Sequence, residues 1–218
     1  MKGQDILLLL KFISLAKQAR LASQAVHEAE TIYREASTAY GDNWQGWDIT
    51  DDTNPLAPNE SLQEDCYSLR QLSGSTGISK SEVSASLQRS KLVGLITEDR
   101  KTSKPKVNTR TLLRFIEHGL KLVFPAQPNA ITRGIPTSFA EPVMENQLMT
   151  AGEYIYVWPD PTGNISGQAV APLFKSVPKA VKQDPHLYAM LALVDAVRLG
   201  RPRESQLAIE LLEKEFTR

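Results

Sequence analysis

One cysteine in 218 residues, Cys66, excludes an internal disulfide framework and a cysteine-rich zinc site, a usage that fits a reducing compartment. Histidine is scarce too. His27, His118 and His186 stand far apart without ligand spacing, so neither a metal nor any other cofactor is expected. No stretch reaches the roughly 18 uninterrupted apolar residues that a membrane span needs. The most apolar one, MKGQDILLLLKFISL, is interrupted by Lys11 and is not followed by a small-residue cleavage site. It reads as a buried helix of a cytoplasmic protein, with Asp5 near its start. Net charge is missing as well, since 25 Lys and Arg balance 25 Asp and Glu. What remains is an ordinary globular composition, 41% hydrophobic and 23% charged, in a chain able to bury a real core as one domain or two.

The balanced charge is unevenly placed. Residues 28–65 hold ten acids against Arg34 alone, whereas residues 79–106 hold seven bases against three acids. A nucleic-acid protein needs a basic face rather than a basic total, because each neutralised phosphate releases counterions. Residues 41–65 carry Gly, Asp, Asn and Pro with few apolar side chains and read as an acidic loop. Trp44 and Trp47 are positioned to tack it onto a surface, and the basic face is one such surface.

Coarse patterning predicts a mainly α protein with small β elements, an α+β class. Helices are expected over 4–18, 16–40, 110–124, from Pro185 to Gly200 and over 204–216. Asp184 is the cap of the fourth, with Pro185 at its first position. Residues 125–165 are rich in proline and turns, with one clear strand at 154–158. A partner near 165–170 would complete a hairpin across Pro159-Asp160-Pro161-Thr162-Gly163. This organisation divides the chain into 1–124 and a C-terminal domain, 125–218, made of the hairpin and two helices.

The most patterned stretch is YSLRQLSGSTGISKSEVSASLQRSKLVGLITEDRKTSKPKV. Ser68 caps a helix carrying Leu69 and Leu72. Gly77 stands where two helices must turn sharply, and Ile78 plugs the angle between them. Ser79 with Glu82 three residues on is a capping box that fixes the start of the second helix, whose inner face is Val83 and Leu87. Ser79, Lys80, Ser81, Ser84, Ala85, Gln88 and Arg89 are left outside, small groups first and long donors after. A helix entering the DNA major groove needs that order: close approach at one end, reach to base edges or phosphates further along. Leu92, Val93, Leu95 and Ile96 then begin a strand, residues 97–106 form a charged hairpin, and Val107 starts the return. Arg100, Lys101, Lys104 and Lys106 on that hairpin suit phosphate contacts.

Leu72-Ser73, Gly77-Ile78-Ser79-Lys80-Ser81, Val83-Ser84, Leu87 and Gly94-Leu95-Ile96 together resemble the winged helix-turn-helix regulators of the MarR type. The resemblance covers about residues 67–108. Ser73 replaces the usual alanine between the helices, and Ala85 stands where many relatives have arginine. The block with VWPDPTG and VPKAVKQDPHLYAMLALVDAVRLG is similar to an extension found on uncharacterised bacterial proteins of this sort. The resemblance implies a sequence-specific transcription regulator that is not an enzyme: a homodimer on double-stranded DNA, with recognition helix 80–90 and a wing at 97–106. An alternative keeps the winged helix but gives the C-terminal domain a partner protein, as in an antitoxin that represses a shared promoter. Winged helices also serve as protein-protein modules.

Other features read as structural. His118 is expected at the core or its boundary, and His186 on the surface. Asp184 beside His186 suggests a dyad, yet no nucleophile is spaced to complete one. Cys66 follows Glu64 and Asp65, carboxylates that disfavour a reactive thiolate. Thr132-Arg133-Gly134-Ile135-Pro136-Thr137 has one glycine and no lysine, so it is a structured loop rather than a phosphate loop. Arg198, Arg201 and Arg203 cluster around Gly200, where a helix C-terminus favours cations.

Overall fold

A computed structural model describes residues 1–25, 46–48, 66–100, 104–140 and 155–217. The expected helix beyond residue 25, most of the acidic loop including Trp44, and Lys101 lie outside these residues. Among the described residues there are eight α-helices and two small sheets, so the expected mixture of helices with small β elements is present. The elements are α1 Gly3–Ala25, α2 Leu69–Thr76, α3 Lys80–Leu92, β1 Ile96–Glu98, β2 Pro105–Val107, α4 Thr109–His118, α5 Leu120–Val123, β3 Pro128–Thr137, β4 Tyr156–Pro159, β5 Ile165–Val170, α6 Val177–Val181, α7 Pro185–Leu199 and α8 Pro202–Thr217.

Two helical stretches are buried on every side and organise the rest. Residues 3–14 of α1 are buried without interruption, as are residues 187–198 of α7. A helix that is apolar all round belongs at the centre of a core, and each polar side chain it carries then needs a partner. Asp5 has Arg89, while Lys11 and Ser14 both reach Asp184 at 2.8 and 2.7 Å. Asp184 also caps α7, accepting the Leu187 N–H at 3.0 Å, with Pro185 next and Gly200 at the end as the sequence predicts. One apolar cluster runs from Ile6 through Leu72, Val83 and Leu112 to Tyr188, Leu212 and Phe216. The boundary expected at 124/125 therefore coincides with no break in the core, and Phe124 O accepts from Arg198 Nε of α7 across it.

The C-terminal strands differ from expectation. Residues 132–137, read as a loop, belong to the ten-residue strand β3. It pairs antiparallel with both β4 and β5, so these two run parallel to each other and form no hairpin. Gly134 faces Pro159 in one ladder and Ile165 in the other. A Cβ there would overlap the Trp158 carbonyl, so glycine lets three strands meet at one point. The helix expected at 110–124 is broken at Gly119 into α4 and α5.

Behind these strands lies a buried polar network. Asp195 accepts from Trp158 Nε1 at 2.6 Å, Thr137 Oγ1 at 3.1 Å and Arg198 at 2.5 Å. Burial pushes its carboxyl above the ordinary value, against the charge of Arg198 and the three donors. Trp47, one of the two tryptophans expected to tack the acidic loop down, is 3% exposed. It bridges to Gly163 and lies edge-on to Tyr188 at 5.8 Å. Its dock is thus the C-terminal strands and α7, not the basic face.

His186, expected on the surface, is half-buried in the first turn of α7. Burial, with Lys17 adding to it, lowers its pKa from 6.5 despite Asp184 and Glu215. The unfolded chain therefore binds the proton more readily than the folded one. The stability this supplies is complete above 6.5 and is lost as pH falls through the folded value. The melting temperature should drop between about pH 7 and about pH 5, and His186→Gln should flatten that drop. Equal slopes in the two proteins would refute the assignment.

Candidate nucleic-acid interface

The local chemistry of residues 68–107 follows the sequence closely. Ser68 accepts the Gln71 N–H at 3.3 Å and caps α2. Gly77 ends α2 at φ 66°, a left-handed conformation open to glycine. Ile78 is buried beneath the turn, and Ser79 caps α3 by accepting the Glu82 N–H at 3.4 Å. Only that half of the capping box forms. The Glu82 carboxylate turns to Gln4 and Lys2 of the N-terminal segment instead, and these two contacts hold it below the usual carboxylate range.

The far end of α3 departs from the sequence reading. Gly94 at φ 72° stops the helix, with Gly94 N–H on Lys91 O at 3.0 Å and Leu95 N–H on Ser90 O at 2.9 Å. This is a Schellman arrangement. Leu92 and Val93 are consequently helix end and turn, exposed at 88% and 59%, rather than the start of a strand. The hairpin itself stands where expected, pairing Ile96 with Val107 and Thr97 with Lys106. Asp99 N–H closes its tip on Lys104 O at 2.9 Å.

Val83, Ser86 and Ser90 face inward on α3, with Leu87 half-buried beside them. The opposite side presents Lys80, Ser81 and Gln88 exposed and Ser84 and Ala85 partly so; at 100° per residue these five share one stripe. Arg89 does not belong to it. Its guanidinium grips the Asp5 carboxylate through two hydrogen bonds, Nε to Oδ2 at 3.1 Å and a terminal nitrogen to Oδ1 at 2.6 Å. The expected base-reading donor is turned toward α1 because Asp5 is fully buried there and needs a counter-charge. Burial raises the Asp5 carboxyl, but the guanidinium of Arg89 and the Lys2 N–H outweigh it and hold the group below its ordinary value.

The hairpin bases sort in the same way. Arg100 and Lys106 are exposed and make no ion pair among the described residues, as is true of Lys80. Lys104 instead sits over the Tyr67 ring at 5.2 Å. Lys91, absent from the sequence expectation, lies at the edge of the exposed stripe but pairs with Glu98.

The remaining candidates are dispersed over the described residues. His118 is exposed beside Glu117, not at the core boundary. Both Asp184 oxygens accept from Lys11, Ser14 and the Leu187 N–H, so this carboxylate serves α1 and the cap of α7. The arginine cluster dissolves too, since Arg198 is buried against Asp195 while Arg201 and Arg203 are exposed. Cys66 is exposed and forms no disulfide among the described residues. Among the described residues no group of His, Cys, Asp and Glu could hold a metal ion, and no helix is long and apolar enough to cross a membrane. No protein-family model, curated protein or solved structure matches the chain.

Proposed function

We propose that the chain is a transcription regulator that binds double-stranded DNA as a homodimer. In this reading residues 67–108 are a winged helix-turn-helix, α3 enters the major groove and the β1–β2 hairpin lies on the backbone. The observation that carries it is the sorting of polar side chains on α3. Charges that could serve the interior, Arg89 and Glu82, are paired with the α1 segment, whereas Lys80, Ser81 and Gln88 stand exposed on the opposite side. Arg100 and Lys106 on the hairpin that follows are exposed and make no ion pair among the described residues. Lys and Gln in such a stripe can reach base edges, and each direct contact of that kind discriminates by about 1–3 kcal/mol. A dimer places two such helices on paired half-sites, which raises a modest single contact set to useful affinity.

The test begins with selection of bound duplexes from a random pool. On the selected sequence, Lys80→Ala with Gln88→Ala should weaken binding by about 1–3 kcal/mol per lost contact, with the melting temperature retained. Unchanged affinity in the folded double variant would remove α3 from the groove.

A further inference from the structure

The short helix α6 belongs to the C-terminal half of the chain, yet it is seated against the turn that leads into α3. The Ser176 hydroxyl donates to Thr76 O at 2.5 Å. A Cβ at Gly77 would stand 2.8 Å from Ser176 Cβ and 3.9 Å from Lys179 Cδ. Val177, Pro178, Ala180 and Val181 are all buried, so α6 is fixed on four of its five residues and Lys179 is the one it exposes. Lys175, just ahead of it, is exposed as well. Neither lysine makes an ion pair among the described residues, and the acid in the first turn of α3, Glu82, is engaged by Lys2 and Gln4. Two exposed lysines therefore flank the Gly77 turn, which leads directly into the exposed Ser79, Lys80 and Ser81.

From this we infer that Lys175 and Lys179 are phosphate-binding residues that extend the DNA-contacting face beyond residues 67–108. The inference rests on the reading of α3 as a groove helix. A helix of 13 residues is about 20 Å long and has a phosphate backbone on each side when it lies in a groove about 12 Å wide. The hairpin bases leave from the C-terminal end of α3. At the N-terminal end the helix itself contributes only Lys80, and the α6 lysines add the missing positive charge there. Their chemistry suits backbone contact: an ammonium on a flexible stem is a point charge with no base-reading geometry. The same contact ties the C-terminal half of the chain to DNA binding rather than leaving it as a passive appendage.

The experiment is a salt titration with a fluorescent duplex of arbitrary sequence, about 30 base pairs long, between about 50 and 200 mM salt. Intact chain, Lys175→Ala/Lys179→Ala, Lys80→Ala/Arg100→Ala and Arg203→Ala are compared. Loss of two phosphate contacts should lower the slope of log affinity against log salt by about 1.8 in the α6 variant. Arg203→Ala, an exposed base on α8, should leave the slope unchanged. An α6 variant with the slope of the intact chain, while Lys80→Ala/Arg100→Ala loses slope, overturns the α6 assignment and leaves the groove reading standing. An equal loss in Arg203→Ala also overturns it, because the effect is then one of total charge. An intact chain that binds no duplex at all overturns both.

Discussion

Asp195→Ala should cost about 3–5 kcal/mol of folding free energy, the range seen when one member of a buried ion pair is removed. Asp195 and Arg198 are 1% and 4% exposed. Among the described residues, deleting the carboxylate leaves the guanidinium with the Phe124 and Ala171 carbonyls, and it strips Trp158 Nε1 and Thr137 Oγ1 of their acceptor. Asp195→Asn keeps one acceptor oxygen for these two donors but no charge, so its loss should be smaller. Replacing both members by apolar residues, Asp195→Leu with Arg198→Met, should cost less than Asp195→Ala alone, because no charge is then stranded. Urea denaturation of the four proteins measures this, and a loss below about 1 kcal/mol in Asp195→Ala would exclude a charged pair at this position. Burial raises the Asp195 carboxyl, so its contribution is complete below the unfolded value and is lost as pH rises through the folded one. Acid sensitivity then arises elsewhere, at groups whose folded values are lowered, with Asp5, Asp160 and the half-buried His186 the least exposed of them.

What the sequence made legible was local. Ser68, Gly77 and Ser79 declare their caps and turn through side-chain chemistry within three residues, as do Asp184, Pro185 and Gly200 around α7. Each is a short-range contest between a side chain and the backbone, and such contests are settled without the rest of the fold. The β3 strand was hidden for the opposite reason. Pro128, Gly134 and Pro136 give it the look of a turn region, and its stability comes from partners up to about 40 residues away. The parallel relation of β4 and β5 exists only through β3, so five turn residues between two strands suggested a hairpin instead. Faces failed where a helix was central rather than peripheral. On α7 one apolar stripe is visible in the sequence, yet residues 187–198 are buried on every side because α1, α8 and the strands surround them. His118 and Arg89 went to unexpected sides because their neighbours, solvent for one and Asp5 for the other, are set by tertiary packing. The α6 lysines had no local signal, lying about 100 residues from the turn they flank.

Arg89→Ala should lower stability by about 3 kcal/mol, and that loss separates two roles for the residue. The sequence places Arg89 among the donors that reach DNA, whereas the fold gives its two-pronged grip to Asp5. Asp5 is fully enclosed and Arg89 about one-third exposed, so water attenuates the pair and the low end of the buried-pair range applies. Removing Arg89 leaves a buried carboxylate held, among the described residues, by the Lys2 backbone N–H. Asp5→Ala added to Arg89→Ala should therefore restore part of the lost stability, which a surface residue would not do. The pH dependence carries the same signature. The folded Asp5 value lies below 3.8, so its contribution is complete above 3.8 and is lost as pH falls through the folded value; in Arg89→Ala that acid-side loss should shrink. Measured well below its melting temperature, the folded Arg89→Ala protein should bind a selected duplex within about 1 kcal/mol of the intact chain, while Lys80→Ala/Gln88→Ala loses about 1–3 kcal/mol per contact. The reverse pattern, full stability with a loss of affinity, would mean that the guanidinium leaves Asp5 for a base edge on binding. The ion pair would then be a resting position of a recognition residue, not a strut between α1 and α3.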